Sequence, residues 1–338
     1  IQDNTMPYGE FDAISHIQVA DYMSQSDKSL LYLPPYIDLR YWIDNAYRPH
    51  TLWYHPPFHT NFAVMQVLGA ERIVPIYLTN AIFSTAIIIS VYFVMRRLFG
   101  FLPAVLSALL IIFSPRDFMP FLWGQWPERL AYAFIPLILY CCYMYYIAYS
   151  DNKDKPIYIY LTALFLAINM LIHPLVFFHS IFGLVVLAIF LAIKEKKFPF
   201  NIKHISISVM IIIVMLAISP LQTGNVIIKF SKESSEQTDS DFSRIFKWSF
   251  EPERFEGSVP ASYFSFKEMH GLWTMPFIVL GILFLAFRRE RRDIFLLAWI
   301  VSLYLVLHRD FFGSTIFLHR SLSASAHIFA PLTAIGML

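Results

Sequence analysis

Hydrophobic positions in this chain run in long blocks, interrupted by short charged connections and two long polar stretches. Nine blocks stand out, near 73–95, 98–114, 127–148, 156–172, 175–193, 204–221, 272–287, 294–308 and 320–338. A helix needs about 20 mainly apolar residues to cross roughly 30 Å of hydrocarbon. Lipid offers the backbone no hydrogen bonds, so each block is predicted to be a helix rather than an isolated strand. The fold expected is all-α, a polytopic transmembrane helical bundle. Residues 1–72 form a first external loop, 73–221 carry six spans, 222–271 form a long external loop and 272–338 carry three spans. The chain opens on Ile1 and stops inside the ninth block, so one further span before Ile1 and truncation at the other end are expected.

The two polar stretches have patterns of their own. In 1–72, Phe11, Ile14, Ile17, Val19 and Tyr22 mark one amphipathic helix, and Phe58, Phe62, Met65 and Leu68 mark a second. Pro34-Pro35, Tyr36, Tyr41, Trp42 and Tyr47 break the chain between them. Such helices suit the membrane interface. The loop 222–271 opens polar, with no hydrophobic periodicity from Ser231 to Ser243, and is expected to be mobile there. It then turns aromatic (Phe246, Trp248, Phe250, Tyr263, Phe264, Phe266) and is expected to pack on the interface.

Composition agrees with a membrane protein. Only 15% of the 338 residues are charged and mean hydropathy is +0.54, whereas a soluble domain carries about 25% charged residues. A net charge of +2 leaves no basic surface for nucleic acid. Cys141 and Cys142 sit within a hydrophobic block and act as small apolar residues. The distribution of cations sets the orientation. Arg96, Arg97, Lys153, Lys155, Lys194, Lys196, Lys197, Lys203, Arg288, Arg289, Arg291 and Arg292 fall in alternate loops, and only Arg116, Arg129, Arg309 and Arg320 fall in the others. The positive-inside rule makes the first set cytoplasmic, so 1–72 and 222–271 face outside.

Ionisable groups gathered at one membrane face are functional candidates, because burying them is costly. Four groups lie at the external face: Glu10, Asp12 and His16; His50, His55 and His59; Arg116, Asp117, Glu128 and Arg129 around Trp123-Gly124-Gln125-Trp126-Pro127; and His308, Arg309, Asp310, His319, Arg320 and His327. Asp12 and His16 are four apart and share a helix face, where a carboxylate can act as general base on a hydroxyl with histidine assisting. A solvated, acidic helix start accounts for them equally well. His55 and His59 have the i, i+4 spacing of a zinc pair. The alternative is that Pro56-Pro57 opens the second helix and leaves His59 on its interfacial face. Arg116-Asp117 and Glu128-Arg129 are either structural ion pairs or groups for phosphate, metal or sugar hydroxyls. Arg320 opens a helix at its positive end, which calls for an anionic ligand or for Asp310. His173, beside Pro174, is assigned no role.

These motifs resemble those of the GT-C superfamily of polytopic glycosyltransferases. The likeness is to prokaryotic, particularly archaeal, members, including membrane proteins labelled "6-pyruvoyl-tetrahydropterin synthase-related". Phe11-Asp12-Ala13-Ile14-Ser15-His16 resembles their aspartate–histidine opening of the first loop. Tyr54-His55-Pro56-Pro57-Phe58-His59 resembles their second loop helix. Trp123-Gly124-Gln125-Trp126-Pro127-Glu128 resembles their Gly-Gln-x-Pro lead into a later span, and Arg320 with Pro331 resembles an Arg-led closing helix. The Trp-Trp-Asp acceptor motif of oligosaccharyltransferase catalytic subunits is not in the sequence.

The resemblance implies an inverting glycosyltransferase of a prokaryotic plasma membrane, its active site facing outside. The donor would be a polyprenyl-phosphate sugar and the acceptor a glycan, lipid or protein. Asp12 and Glu10 would be catalytic. His16, His59, Arg116, Glu128, Arg129, Arg309 and Arg320 would bind substrate or phosphate. A magnesium or manganese ion at Asp12, Asp117 and Glu128 is what the oligosaccharyltransferase branch implies, while other branches use none. The competing expectations are a transporter or flippase for lipid-linked sugars, with charges at mid-membrane in broken helices, and a non-catalytic scaffold of an envelope assembly.

Overall fold

The computed structural model describes residues 11–25, 27–34, 55–114, 124–199, 201–235, 270–308 and 325–338. Every regular element among them is helical. In chain order they are α1 (Phe11–Met23), α2 (Pro56–Gly69), α3 (Val74–Leu98), α4 (Phe101–Ile112), α5 (Trp126–Tyr132), α6 (Phe134–Ser150), α7 (Ile157–Ile172), α8 (Pro174–Glu195), α9 (Ile202–Leu216), α10 (Pro220–Ser235), α11 (Met275–Arg288), α12 (Arg291–Leu307) and α13 (Ala326–Met337).

Local chemistry explains the starts. Proline opens α2 and α8, where its missing N–H costs nothing. The Glu71 carboxylate accepts from the backbone N–H groups of Ile73 and Val74 and so caps α3. Asn201 caps α9 through its side-chain oxygen. Glu290 and Asp293 form a reciprocal capping box on α12.

Each of the nine hydrophobic blocks holds helix among its described residues, but nine crossings do not follow from that. Among the described residues, three runs are long and apolar enough to span alone: Val74–Leu98, Trp126–Ser150 and Pro174–Glu195. The pair α9 and the first part of α10 would make a fourth, bent by 105° at Ala217–Ser219. The other apolar helices are shorter. At 1.5 Å per residue, the 12 residues of α4 reach only about 18 Å. The polar stretch after 231 also departs from expectation at its start, since α10 continues as helix to Ser235.

The bundle core runs through α3, α4, α6, α8, α11, α12 and α13, with Trp299, Phe295 and Tyr146 among its largest buried side chains. Two glycines let α11 and α13 meet backbone to backbone. A Cβ at Gly336 would lie 1.9 Å from the Phe277 carbonyl oxygen, and one at Gly281 would lie 2.3 Å from that of Leu332. Small residues at a crossing are the usual device for such an approach in lipid.

The basic loops assemble at one end of the bundle. Arg291 bridges Asp151 at 2.8 Å and Glu195 at 2.7 Å, tying the ends of α6 and α8 to the start of α12. Arg292 reaches the Leu98 carbonyl and Lys194 the Arg289 carbonyl. This grouping is the one the cation pattern anticipates. At the opposite end α1 and α2 pack on each other, and α2 packs on α3. From Ala13 to Ala20 every position of α1 except Ile14 is buried, so it is a core helix and not a two-faced interfacial one. α10 docks there too: Gln222 donates to the Leu33 carbonyl and Thr223 meets the His55 ring.

Candidate active site

The site forms where α1, α2 and the lead into α5 converge, opposite the basic end. Gly124 sits at φ +77°, a conformation open to glycine. A Cβ there would lie 2.0 Å from the Ala13 nitrogen and 2.7 Å from the Asp12 carbonyl carbon. The Gly124 backbone is therefore pressed onto the Asp12–Ala13 peptide. This contact fixes the first turn of α1, which carries Asp12 at a partly exposed position. One turn on, His16 is buried against Trp126 and Phe58, with ring centroids 6.0 and 5.9 Å away. Phe62 and Tyr77 close the far side of Trp126.

His16 and His59 form a buried imidazole pair, Nδ1 to Nε2 at 2.9 Å. His59 also reaches the His55 carbonyl through Nδ1, at 3.4 Å. A carbonyl can only accept, so Nδ1 of His59 carries a proton. Across the contact between the two rings one nitrogen donates and the other accepts. The Gly124 backbone also hydrogen-bonds the His16 ring.

Burial keeps these rings neutral. Desolvation holds His16 well below its ordinary value, with the charges of His59 and His173 acting in the same direction and the Gly124 bond opposing them. Burial takes His59 down to about 4, against the bond to the His55 carbonyl, and His55 itself to about 4.

Several expectations need correction. His55 and His59 do not converge as a zinc pair: the His55 ring turns to Thr223, 3.3 Å away, and the His59 ring to His16. His59 is 1% exposed and faces α1, not the interface, because the Pro56 start points its position of the helix inward. His173 is close enough to act on His16 electrostatically, although no motif marks it. Glu128 and Arg129 are both buried in the short helix α5 that follows Gln125. Glu10, Arg116, Asp117, Arg309 and Arg320 lie outside the described residues, as do His50 and His319. Among the described residues, no three His, Cys, Asp or Glu side chains are grouped to hold a metal ion.

A second polar cluster lies deeper and was not visible in the sequence. The Tyr132 hydroxyl meets His179 Nδ1 at 2.9 Å, and its ring lies 5.3 Å from that of His327, which also packs on Trp299. Only His327 stood among the sequence candidates. His179 and Tyr132 occur inside hydrophobic blocks with no local signal.

Comparison with known proteins adds two findings. The model of DUF6541, a family of unknown function, matches residues 1–317. The chain belongs to this family. No curated protein matches it. Among solved structures, it is similar to ArnT from Cupriavidus metallidurans in the apo state, with TM-score 0.62, 13% identity, and 98% of this chain and 55% of that one covered. It is also similar to the Archaeoglobus fulgidus oligosaccharyltransferase in the apo form, with TM-score 0.63, 13% identity, and 100% and 47% coverage. The same ArnT bound to undecaprenyl phosphate gives TM-score 0.62 at 13% identity, over 98% of this chain and 56% of that one. The chain thus has a GT-C fold and spans about half the length of these proteins.

Proposed function

We propose that the protein is a membrane glycosyltransferase that takes a sugar from a polyprenyl-phosphate donor and passes it to an acceptor hydroxyl at the face opposite the basic loops. That face is outside the cytoplasmic membrane by the positive-inside rule. The observation that carries the reading is Asp12 itself. It is a carboxylate on a helix pinned by the Gly124 backbone, one turn before a buried, neutral histidine pair. A solvated helix start would need none of this support. The fold agrees: ArnT has been seen bound to undecaprenyl phosphate, and the archaeal oligosaccharyltransferase AglB with an inhibitory peptide and dolichol-phosphate.

In this reading the acceptor hydroxyl gives its proton to Asp12, with Glu10 assisting, as its oxygen forms a bond to the anomeric carbon. The bond from that carbon to the phosphate oxygen breaks in line, its electron pair leaves with the phosphate, and configuration inverts. His16, one turn on, orients Asp12 as a neutral ring, with His59 holding His16 in place. Arg129, with Arg116, Arg309 and Arg320, offsets the charge on the departing phosphate, the kind of electrostatic term that weighs most in catalysis. Asp117 and Glu128 remain the candidates for a divalent ion beside Asp12.

The broken pair α9–α10 is a feature that a flippase would share. Its break, Ala217-Ile218-Ser219, carries no charge to bind a headgroup, so it does not favour transport. The test is transfer from radiolabelled polyprenyl-phosphate sugars to a mixed acceptor extract by protein in liposomes. Asp12→Asn is expected to lower the rate by about 10²–10⁴-fold, the usual worth of a general base, with folding intact by circular dichroism. Unchanged transfer by Asp12→Asn would remove Asp12 from this role.

A further inference from the structure

A cavity opens not at Asp12 but further along α1. About 500 Å³ opens between the second half of α1 and the end of α2, lined by Gln18, Asp21, Tyr22, Gln25, Gln66 and Arg72. Its rim at Val67, Ala70 and Glu71 is exposed. No motif in the sequence marks it, and the proposed chemistry does not use it.

Its wall is a prebuilt polar surface. Ala70 adopts a left-handed conformation, φ 47°, which ends α2 and turns the chain back. Arg72 thereby reaches Asp21, donating to its carboxylate through Nε at 2.7 Å and through Nη2. Gln66 is 6% exposed and joins both: its Nε2 donates to Asp21 Oδ1 at 2.7 Å and to the Arg72 carbonyl at 2.8 Å. Both partners are acceptors, so the orientation of this amide is fixed and its carbonyl oxygen turns the other way. That oxygen has no donor among the described residues.

The chemistry of the lining narrows the ligand. Arg72 is committed to Asp21, and the Glu71 carboxylate is committed to the start of α3. Among the described residues, each cation beside the cavity already faces a carboxylate, Arg72 that of Asp21 and Lys28 that of Asp27, so no excess positive charge is offered to a phosphate. The wall mixes polar groups with the apolar surface of Tyr22, Val67 and Ala70. What it offers is the amides of Gln18 and Gln25 and the half-exposed Arg72 guanidinium, planar groups that present adjacent donors or acceptors, together with the ring of Tyr22. Neighbouring hydroxyls on a sugar ring are donors and acceptors at once, and the C–H face of the ring packs on an aromatic. An uncharged saccharide matches both.

We propose that this cavity is a subsite for a neutral oligosaccharide, and that it holds sugars of the acceptor remote from the reacting hydroxyl. Asp21 lies nine residues beyond Asp12 on the same helix, roughly 13 Å along its axis. A short glycan could reach from one to the other, so that binding at the cavity supports reaction at Asp12. The acceptor role rests on the transferase reading; the binding of sugar does not.

The test measures binding of mannotriose, chitotriose and cellotriose to the whole protein in nanodiscs by saturation-transfer NMR, with no donor present. At least one should bind. Gln25→Ala and Tyr22→Ala should each weaken it by about tenfold, the loss of one good contact, and His59→Gln at the other site should not. Gln25 contributes no hydrogen bond to the Asp21–Gln66–Arg72 network, so loss of folding would not explain its effect. No binding by any of the three, binding unmoved by both cavity variants, or displacement of the sugar by an unglycosylated Asn-Ala-Thr peptide would each overturn the proposal. Sugar binding with no transfer activity would remove the transferase reading and leave the subsite; transfer without sugar binding would do the reverse.

Discussion

His55 and His59 titrate far from the range usual for histidine, and this makes stability depend on pH. Each has a folded value of about 4, below the ordinary 6.5, because burial penalises the charged ring. Between those values the unfolded chain binds more protons than the folded one, so stability rises with pH. Their contribution is fully present above about 6.5 and is lost as pH falls toward 4. Thermal unfolding followed from pH 7 to 4 should show a falling midpoint, and His55→Gln should flatten the fall. A midpoint independent of pH in the wild type would contradict the burial of these rings.

Gly124 is the other residue on which the site depends. Alanine there combines a strained φ of +77° with a methyl group placed 2.0 Å from backbone. Backbone cannot rotate aside as a side chain does. Gly124→Ala is expected to cost at least about 2 kcal/mol and to displace α1. Unfolding midpoint and protease resistance of the first loop would measure it. Sequence reading found Gly124, Asp12, His16 and His59 as motif members but not their partners. The His16–His59 contact joins positions 43 apart, and spacing along a helix reports only neighbours within a turn or two. That is why His55 and His59 read as a pair when their rings in fact diverge.

Among the elements, the hydrophobic blocks were the most legible, since each holds helix among its described residues. What escaped was geometry set by contact. The 105° bend before Pro220 depends on α10 docking to Leu33 and His55, far away in sequence. α1 looked two-faced because its buried polar positions, Ser15, His16 and Gln18, count as solvent-facing in a hydrophobicity pattern. The crossing of α11 and α13 was hidden for the opposite reason, as a glycine in an apolar run is silent until its neighbour is known. Gly336→Ala and Gly281→Ala should each separate this pair and cost about 1–3 kcal/mol. Gly224→Ala on α10 has open space around it and should be neutral or gain up to about 1 kcal/mol. Thermal unfolding in detergent compares all three. Equal midpoints for Gly336→Ala and Gly224→Ala would mean that α11 and α13 do not meet in this way.

At the scale of the whole molecule, charge divides the two ends by task. One end holds Arg288 and Arg291 with Asp151, Glu195 and Asp293 in ion pairs that join the ends of four helices, α6, α8, α11 and α12. The other holds the carboxylate, the histidine pair and the polar cavity. A protein that carried a lipid-linked sugar across the membrane would need binding groups between the ends. One that modifies it would concentrate them at a single end. The measurement that separates these most directly uses sealed liposomes with a labelled polyprenyl-phosphate sugar and follows both products at once. The account predicts a new glycosidic bond, release of one free polyprenyl phosphate per sugar transferred, and loss of both in Asp12→Asn. Labelled lipid crossing the bilayer with no glycosidic product, unaffected by Asp12→Asn, would contradict it.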